Sequence, residues 1–259
     1  MNLYRPRVGL TIPLALALAL LACNFGLPAE EPTATARPTQ TPKPKATAAE
    51  AEPTATRPRP TRTPAPAPTD TPAPQPGDVL YATDFDDLND WTTIFALPET
   101  DNYTTEIRDG TLYIEVATRD TTVYVFNDLI DQADVQIDAA VETVAGPNRN
   151  NISLICRATA DGWYEFSMNS GGLWWIWRYD DDGFTALAQG GSTAINMQKA
   201  KNTLTAVCAG EALILYVNDE EVGSVTDDRF DSGFIGVSVS TFNIQGAGVE
   251  FDALSVSLP

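Results

Sequence analysis

The chain has 259 residues, with 16 basic against 35 acidic side chains and a formal net charge of −19. Histidine is absent, which removes the side chain most used as a general base near neutral pH and the commonest transition-metal ligand. From Asp78 onward the balance is 8 basic to 30 acidic, a net charge of −22; a field of that sign repels nucleic acid and anionic head groups, so no nucleic-acid partner is expected.

Arg5 and Arg7 precede a charge-free apolar run from Val8 to Ala22. The run is short for a membrane span and suits the hydrophobic region of a signal peptide. It ends Leu20-Leu21-Ala22-Cys23. That ending resembles the bacterial lipobox, with a leucine at −3, a small residue at −1 and a cysteine at +1. Leu21 departs from the small residue usual at −2. The resemblance implies that residues 1–22 are a lipoprotein signal peptide. It implies a diacylglycerol thioether on Cys23 and a protein held on the extracellular face of the bacterial cell membrane. The alternative is an ordinary secretory signal with an incidental cysteine.

Residues 24–76 contain 14 prolines and 11 threonines. Proline fixes φ and removes amide donors, so neither helix nor sheet propagates. Too few large apolar groups are present to offset the entropy of ordering. Residues 23–77 therefore read as a disordered linker of polyproline II character, with a limiting reach on the order of 160 Å.

From Val79 onward the dominant period is two. Leu112, Ile114 and Val116 alternate with Tyr113 and Glu115; Val135, Ile137, Ala139 and Val141 alternate with Gln136 and Asp138. Segments 152–159, 163–168, 173–179, 203–209, 212–217, 234–239 and 249–256 read alike, the pattern of half-buried strands. Asp109-Gly110, Asp161-Gly162, Gly171-Gly172, Asp182-Gly183 and Asn218-Asp219 supply turn chemistry between them. About a dozen strands with short links predict an all-β fold over 78–259, an antiparallel β-sandwich or jelly roll.

Within that segment several motifs follow in order. Tyr81-Ala-Thr-Asp-Phe-Asp-Asp leads to Trp91, then Asp109-Gly-Thr-Leu-Tyr-Ile, Ile155-Cys-Arg and Asp161-Gly-Trp-Tyr-Glu-Phe. Thr203-Leu-Thr-Ala-Val-Cys-Ala-Gly, Leu215-Tyr-Val-Asn-Asp, Gly233-Phe-Ile-Gly-Val and Val249-Glu-Phe-Asp-Ala-Leu-Ser-Val close the series. The series resembles the concanavalin A-like jelly-roll superfamily, in particular its laminin-G-like and 3-keto-disaccharide-hydrolase-like domains. The resemblance implies a jelly roll and points weakly to carbohydrate.

Cys156 and Cys208 lie on apolar strands, in phase with inward residues, in a chain addressed to an oxidising compartment. A disulfide between them is expected; two buried free thiols are the alternative. The densest aromatic cluster is Trp163-Tyr164 followed by Trp174-Trp175-Ile176-Trp177-Arg178-Tyr179. On a strand Trp175, Trp177 and Tyr179 share one face, and a two-layer sandwich cannot bury both faces. Trp175, Trp177 and Tyr179, with the nearby Trp163, are therefore candidate ligand-binding residues. Arg178, on the other face of the strand beside Trp174 and Ile176, is added because its guanidinium can hydrogen-bond sugar hydroxyls. The competing reading has the rings filling the core.

Asp84 and Asp86 near the domain start and Asp252 near its end are candidate ligands for structural calcium, since the terminal strands of jelly rolls usually pair. No other cofactor is expected. A glucanase on this fold carries a closely spaced carboxylate triplet; Glu250-x-Asp252 lacks the third member and Glu165 stands alone. The chain thus reads as a surface-anchored, non-catalytic binding domain for polysaccharide. A protein-interaction or structural module of the cell envelope, whose partner would be a cell-envelope protein, and a glycoside-acting enzyme are the alternatives. Cys23→Ser is expected to move the protein from the membrane fraction to the soluble fraction; a variant that still pellets with membranes removes the anchor.

Overall fold

The computed structural model describes residues 74–259. The leader, Cys23 and most of the proline-rich segment lie outside the described residues. In chain order the strands are β1 (Val79–Thr83), β2 (Thr93–Leu97), β3 (Tyr103–Arg108), β4 (Thr111–Val116) and β5 (Thr122–Gln132). Then come β6 (Val135–Ala145), β7 (Asn151–Thr159), β8 (Gly162–Asn169), β9 (Leu173–Asp180) and β10 (Gly183–Gly191). The last are β11 (Asn202–Ala209), β12 (Ala212–Val217), β13 (Glu220–Thr226), β14 (Gly233–Ser240) and β15 (Ala247–Ser257). No helix occurs among the described residues.

The strands form two antiparallel sheets. One runs β13-β12-β11-β6-β15-β4-β3, with β1 also on β15; the other is seven-stranded and runs β10-β9-β8-β7-β14-β5-β2. The 11-residue β15 pairs with β4 through Ala247–Phe251 and with β1 through its end. The first and last strands of the domain are thereby joined. Between the sheets lies one core. It takes Val135, Ile137, Ala139 and Val141 from β6, Tyr164, Phe166 and Met168 from β8, and Ile235, Val237 and Val239 from β14.

The alternation in β9 is resolved as the pleat requires. Trp174 and Ile176 face the core, while Trp175 and Trp177 face outward and are half-buried. Trp174 fits because Gly190 and Gly223 leave room for its indole; a Cβ on Gly190 would lie 2.8 Å from Cζ2 of that ring. Several strands carry no clean alternation in the sequence. In β5, Val123 and Val125 face the core, but Tyr124 and Phe126 belong to a second apolar cluster on the other side.

Cys156 on β7 and Cys208 on β11 are disulfide-bonded, 52 residues apart in sequence, with Cα atoms 6.9 Å apart. The bond ties one sheet to the other. Beside it Arg157 sits at a bulge with φ of 52°. Its buried guanidinium donates to the carbonyls of Ala133 at 2.7 Å, Gly210 at 2.8 Å and Phe230 at 3.0 Å, and to Asp134 at 3.3 Å. Three separate links between strands are pinned by this one side chain.

Glu165 on β8 points away from the core yet is only 3% exposed. Ser238 Oγ donates to its Oε1 at 2.8 Å, and the Trp163 indole N–H lies 3.5 Å from Oε2. Burial pushes this carboxyl above its ordinary value, and the donors Ser153, Ser238 and Trp163 pull the other way without cancelling it.

Two predictions follow from this packing. Replacing both cysteines by alanine should cost about 2–4 kcal/mol in denaturant unfolding; an unchanged midpoint contradicts the bridge. For Glu165, both states hold the proton below the ordinary value of 4.5. As pH rises the unfolded chain ionises first, so stability declines until the raised folded-state value is passed. Glu165→Gln should flatten that decline in urea titrations at successive pH values; equal slopes in both proteins count against it.

Candidate functional site

Among the described residues no third sheet and no helix is present to cover the outer face of the seven-stranded sheet. Register places a single row of side chains across all seven strands: Phe95, Tyr124, Ser238, Ser153, Ser167, Trp175 and Gln189. The next row is Thr93, Phe126, Gly236, Ile155, Glu165 and Trp177. Small and polar residues occupy the central strands and aromatic residues the flanking ones. Ser153 and Ser167 share a hydrogen bond at 2.9 Å beside Ser238 and Glu165. These polar groups are buried because the rings lean over them.

Trp163 joins the two aromatic flanks. Its ring centroid lies 5.1 Å from Tyr124, 5.7 Å from Phe126 and 4.3 Å from Tyr179. Tyr179 is 4.8 Å from Phe184, and Phe184 stands edge-on to Trp177 at 6.1 Å. The ladder ends in Trp175 and Trp177, with centroids 6.1 Å apart and planes inclined by only 14°. The Trp175 N–H donates to Gln189 Oε1 at 3.0 Å, which fixes the plane of that indole. Gly236 gives Phe126 space to lie over β14; a Cβ there would meet its Cδ1 at 2.7 Å. Burial raises the Tyr124 phenol far above its ordinary value, so it stays neutral.

Four of the five aromatic-site candidates share this face: Trp163, Trp175, Trp177 and Tyr179. Trp163 is the most enclosed, at 6% exposure, and works as the joint between the flanks. Arg178 does not belong with them. It stands on the opposite side of β9, where its guanidinium pairs with Asp180 at 2.9 Å and Asp227 at 2.8 Å. Asp227 also accepts the Tyr164 hydroxyl at 2.6 Å. Arg178 is a structural tie, because the pleat that turns Trp177 and Tyr179 outward turns residue 178 inward.

The acidic candidates do not converge. β1 and β15 pair, but Asp84 and Asp86 are exposed and Asp252 is held by Lys201 at 2.8 Å. Among the described residues no group of three metal-ligating side chains comes together. Sequence reasoning passed over Phe95, Tyr124, Phe126, Phe184 and Phe234. The signal was present in Val123-Tyr124-Val125-Phe126, where both strand faces are apolar and one set is aromatic. Phe95, Phe126, Trp163 and Phe234, with Thr93 and Asp128, line a hollow of about 360 Å³ on the β2–β5 side of the face.

No family model matches the chain, and no curated protein matches it in sequence. Solved structures do match. The carbohydrate-binding module CBM66 from Bacillus subtilis is 15% identical with a TM-score of 0.51, over 64% of this chain and 96% of that one. A Bacillus subtilis protein of unknown function with a galectin-like fold is 10% identical with a TM-score of 0.57, over 71% and 97%. The β-glucanase of Bacillus licheniformis is 8% identical with a TM-score of 0.51, over 71% and 100%. The fold of the described residues is thus an antiparallel β-sandwich of the concanavalin A-like and galectin-like jelly-roll type.

Proposed function

We propose that this domain is a non-catalytic carbohydrate-binding module, held on the extracellular face of the cell by a lipid on Cys23, and that neutral polysaccharide is its ligand. The observation that carries the reading is the near-parallel, half-buried Trp175/Trp177 pair on an uncovered sheet. Flat rings of this kind cover the C–H faces of sugar rings and gain from the apolar area removed from water. Gln189 accepts the Trp175 N–H through its carbonyl oxygen, which leaves its amide donors for a sugar hydroxyl. The net charge of −22 from Asp78 onward favours an uncharged polymer over an anionic one. The names of similar structures, a carbohydrate-binding module and a β-glucanase, agree with this ligand class.

The non-catalytic part rests on the carboxylates. Glycoside cleavage uses two carboxyl groups flanking one bond. Glu165 is the buried carboxylate of this face, and its oxygens are engaged by Ser238 and Trp163 beneath the ring layer. It is suited to holding Trp163 in place rather than to meeting a glycosidic oxygen.

The test is binding to a panel of purified polysaccharides. Trp175→Ala and Trp177→Ala should each weaken binding about tenfold, the scale of one ring's apolar contact. Circular dichroism of the variants should match the parent. No binding by the parent, or undiminished binding by the double variant, overturns the reading. Release of reducing sugar on long incubation would assign a glycosidase instead.

A further inference from the structure

The hollow on the β2–β5 side differs chemically from the Trp175/Trp177 ladder. Its walls are Phe95, Phe126, Trp163 and Phe234, and no lysine or arginine lines it. Phe95 and Phe126 stack at 5.8 Å with planes 17° apart. Trp163 stands across Phe126 at 69°. The rings that line the space thus lie in two nearly perpendicular orientations. At the rim Asp128 is exposed, and none of the ion pairs among the described residues uses it. A sugar would find few hydrogen-bonding groups in such a lining. A cation finds three attractions: the negative faces of the rings, the Asp128 carboxylate, and the field of a segment with net charge −22.

We propose that this hollow is a binding site for a quaternary ammonium group of the choline type. A primary ammonium is a compact, strongly hydrated charge with three donors, and the rings return none of those hydrogen bonds. A trimethylammonium group has no N–H to leave unsatisfied. It presents methyl groups to the rings and keeps its charge, which aromatic cages recognise. A space of about 360 Å³ accommodates a group of that size. Trp163 is shared with the aromatic face of the glycan reading, but Phe234 and Asp128 lie outside the Trp175/Trp177 ladder, so the two readings are tested by different residues.

The experiment is calorimetric titration of the full chain with tetramethylammonium, choline and 3,3-dimethylbutan-1-ol, the neutral isostere of choline. The two cations should bind saturably and compete. The neutral isostere should bind at least about tenfold more weakly. Asp128→Asn should weaken choline about fivefold, and Phe234→Ala, at an exposed position, by a similar factor with circular dichroism matching the parent. Asp181→Asn removes the same charge from the exposed β9–β10 turn and should leave choline affinity unchanged. Equal affinity for the isostere, no saturable cation binding, or an unaltered Asp128→Asn variant overturns the proposal. Phosphatidylcholine vesicles form a further arm. Capture reversed by free choline supports the site with a lipid head group as source, and binding of free choline alone supports it with a soluble source. Polysaccharide binding is measured on the same samples, so cation binding that fails while glycan binding persists removes this site only.

Discussion

The seven-stranded sheet carries large apolar side chains on both faces, and the other sheet covers only one of them. That mismatch shapes everything on the outer surface. Water against exposed aromatic surface is unfavourable, and no helix or third sheet occurs among the described residues to hide it. The sequence solves the problem within the sheet. Small residues such as Gly236, Ser238 and Ser153 occupy the central strands, and large rings from β5, β8 and β9 lean over them. The layer is incomplete at its edges, where Trp175 and Trp177 remain half-buried and Phe184 and Phe234 are exposed. A recognition surface is what remains when a sheet covers itself with its own side chains and comes up short.

Such a surface is useful to a ligand only if the rings are already in place. Here they stand on strands rather than loops, and the strands are fixed from behind. The disulfide between β7 and β11 spans the two layers. Arg157 locks three links between strands through their carbonyls. Tyr164, Asp227 and Arg178 form a connected set behind β8 and β9, with the Tyr164 hydroxyl pushed up to about 12 chiefly by burial and next by Asp227. Rings fixed in this way lose little freedom when they meet a flat partner, which preserves affinity.

The sequence made the sandwich readable because a period of two cannot be mistaken over β4, β6, β11 and β12. It also placed the two cysteines in phase with the core, and so their pairing. Some of the strands it concealed lack alternation, whereas β3 alternates and is short. In β5 the outer positions are aromatic, and in β10 a bulge between Ala186 and Ala188 breaks the beat. The candidate site was legible where several rings fall in one strand, as in β9. It was illegible where the rings come from strands far apart in sequence, since Phe95, Tyr124 and Trp163 meet only through the strand order β8-β7-β14-β5-β2. Arg178 was misplaced for a different reason: chemistry suggested a partner for sugar hydroxyls, while its parity on β9 pointed to the other face.

Charge then decides what may approach. From Asp78 onward eight cations face thirty acids, and four of the eight are already paired with carboxylates. Arg157 is buried, Arg178 holds two aspartates, and Arg108 and Lys201 each hold a carboxylate. The other four, Arg119, Arg149, Lys199 and Arg229, are outnumbered by the thirty acids, and the resulting field opposes a sulfated or uronate-rich polymer. The same field does not penalise a neutral sugar and attracts a cation. The aromatic surface is therefore matched to its electrostatic setting. Under the proposed reading the ring face is the means of binding, and the two ligand classes proposed for it are ones that a negative surface does not repel.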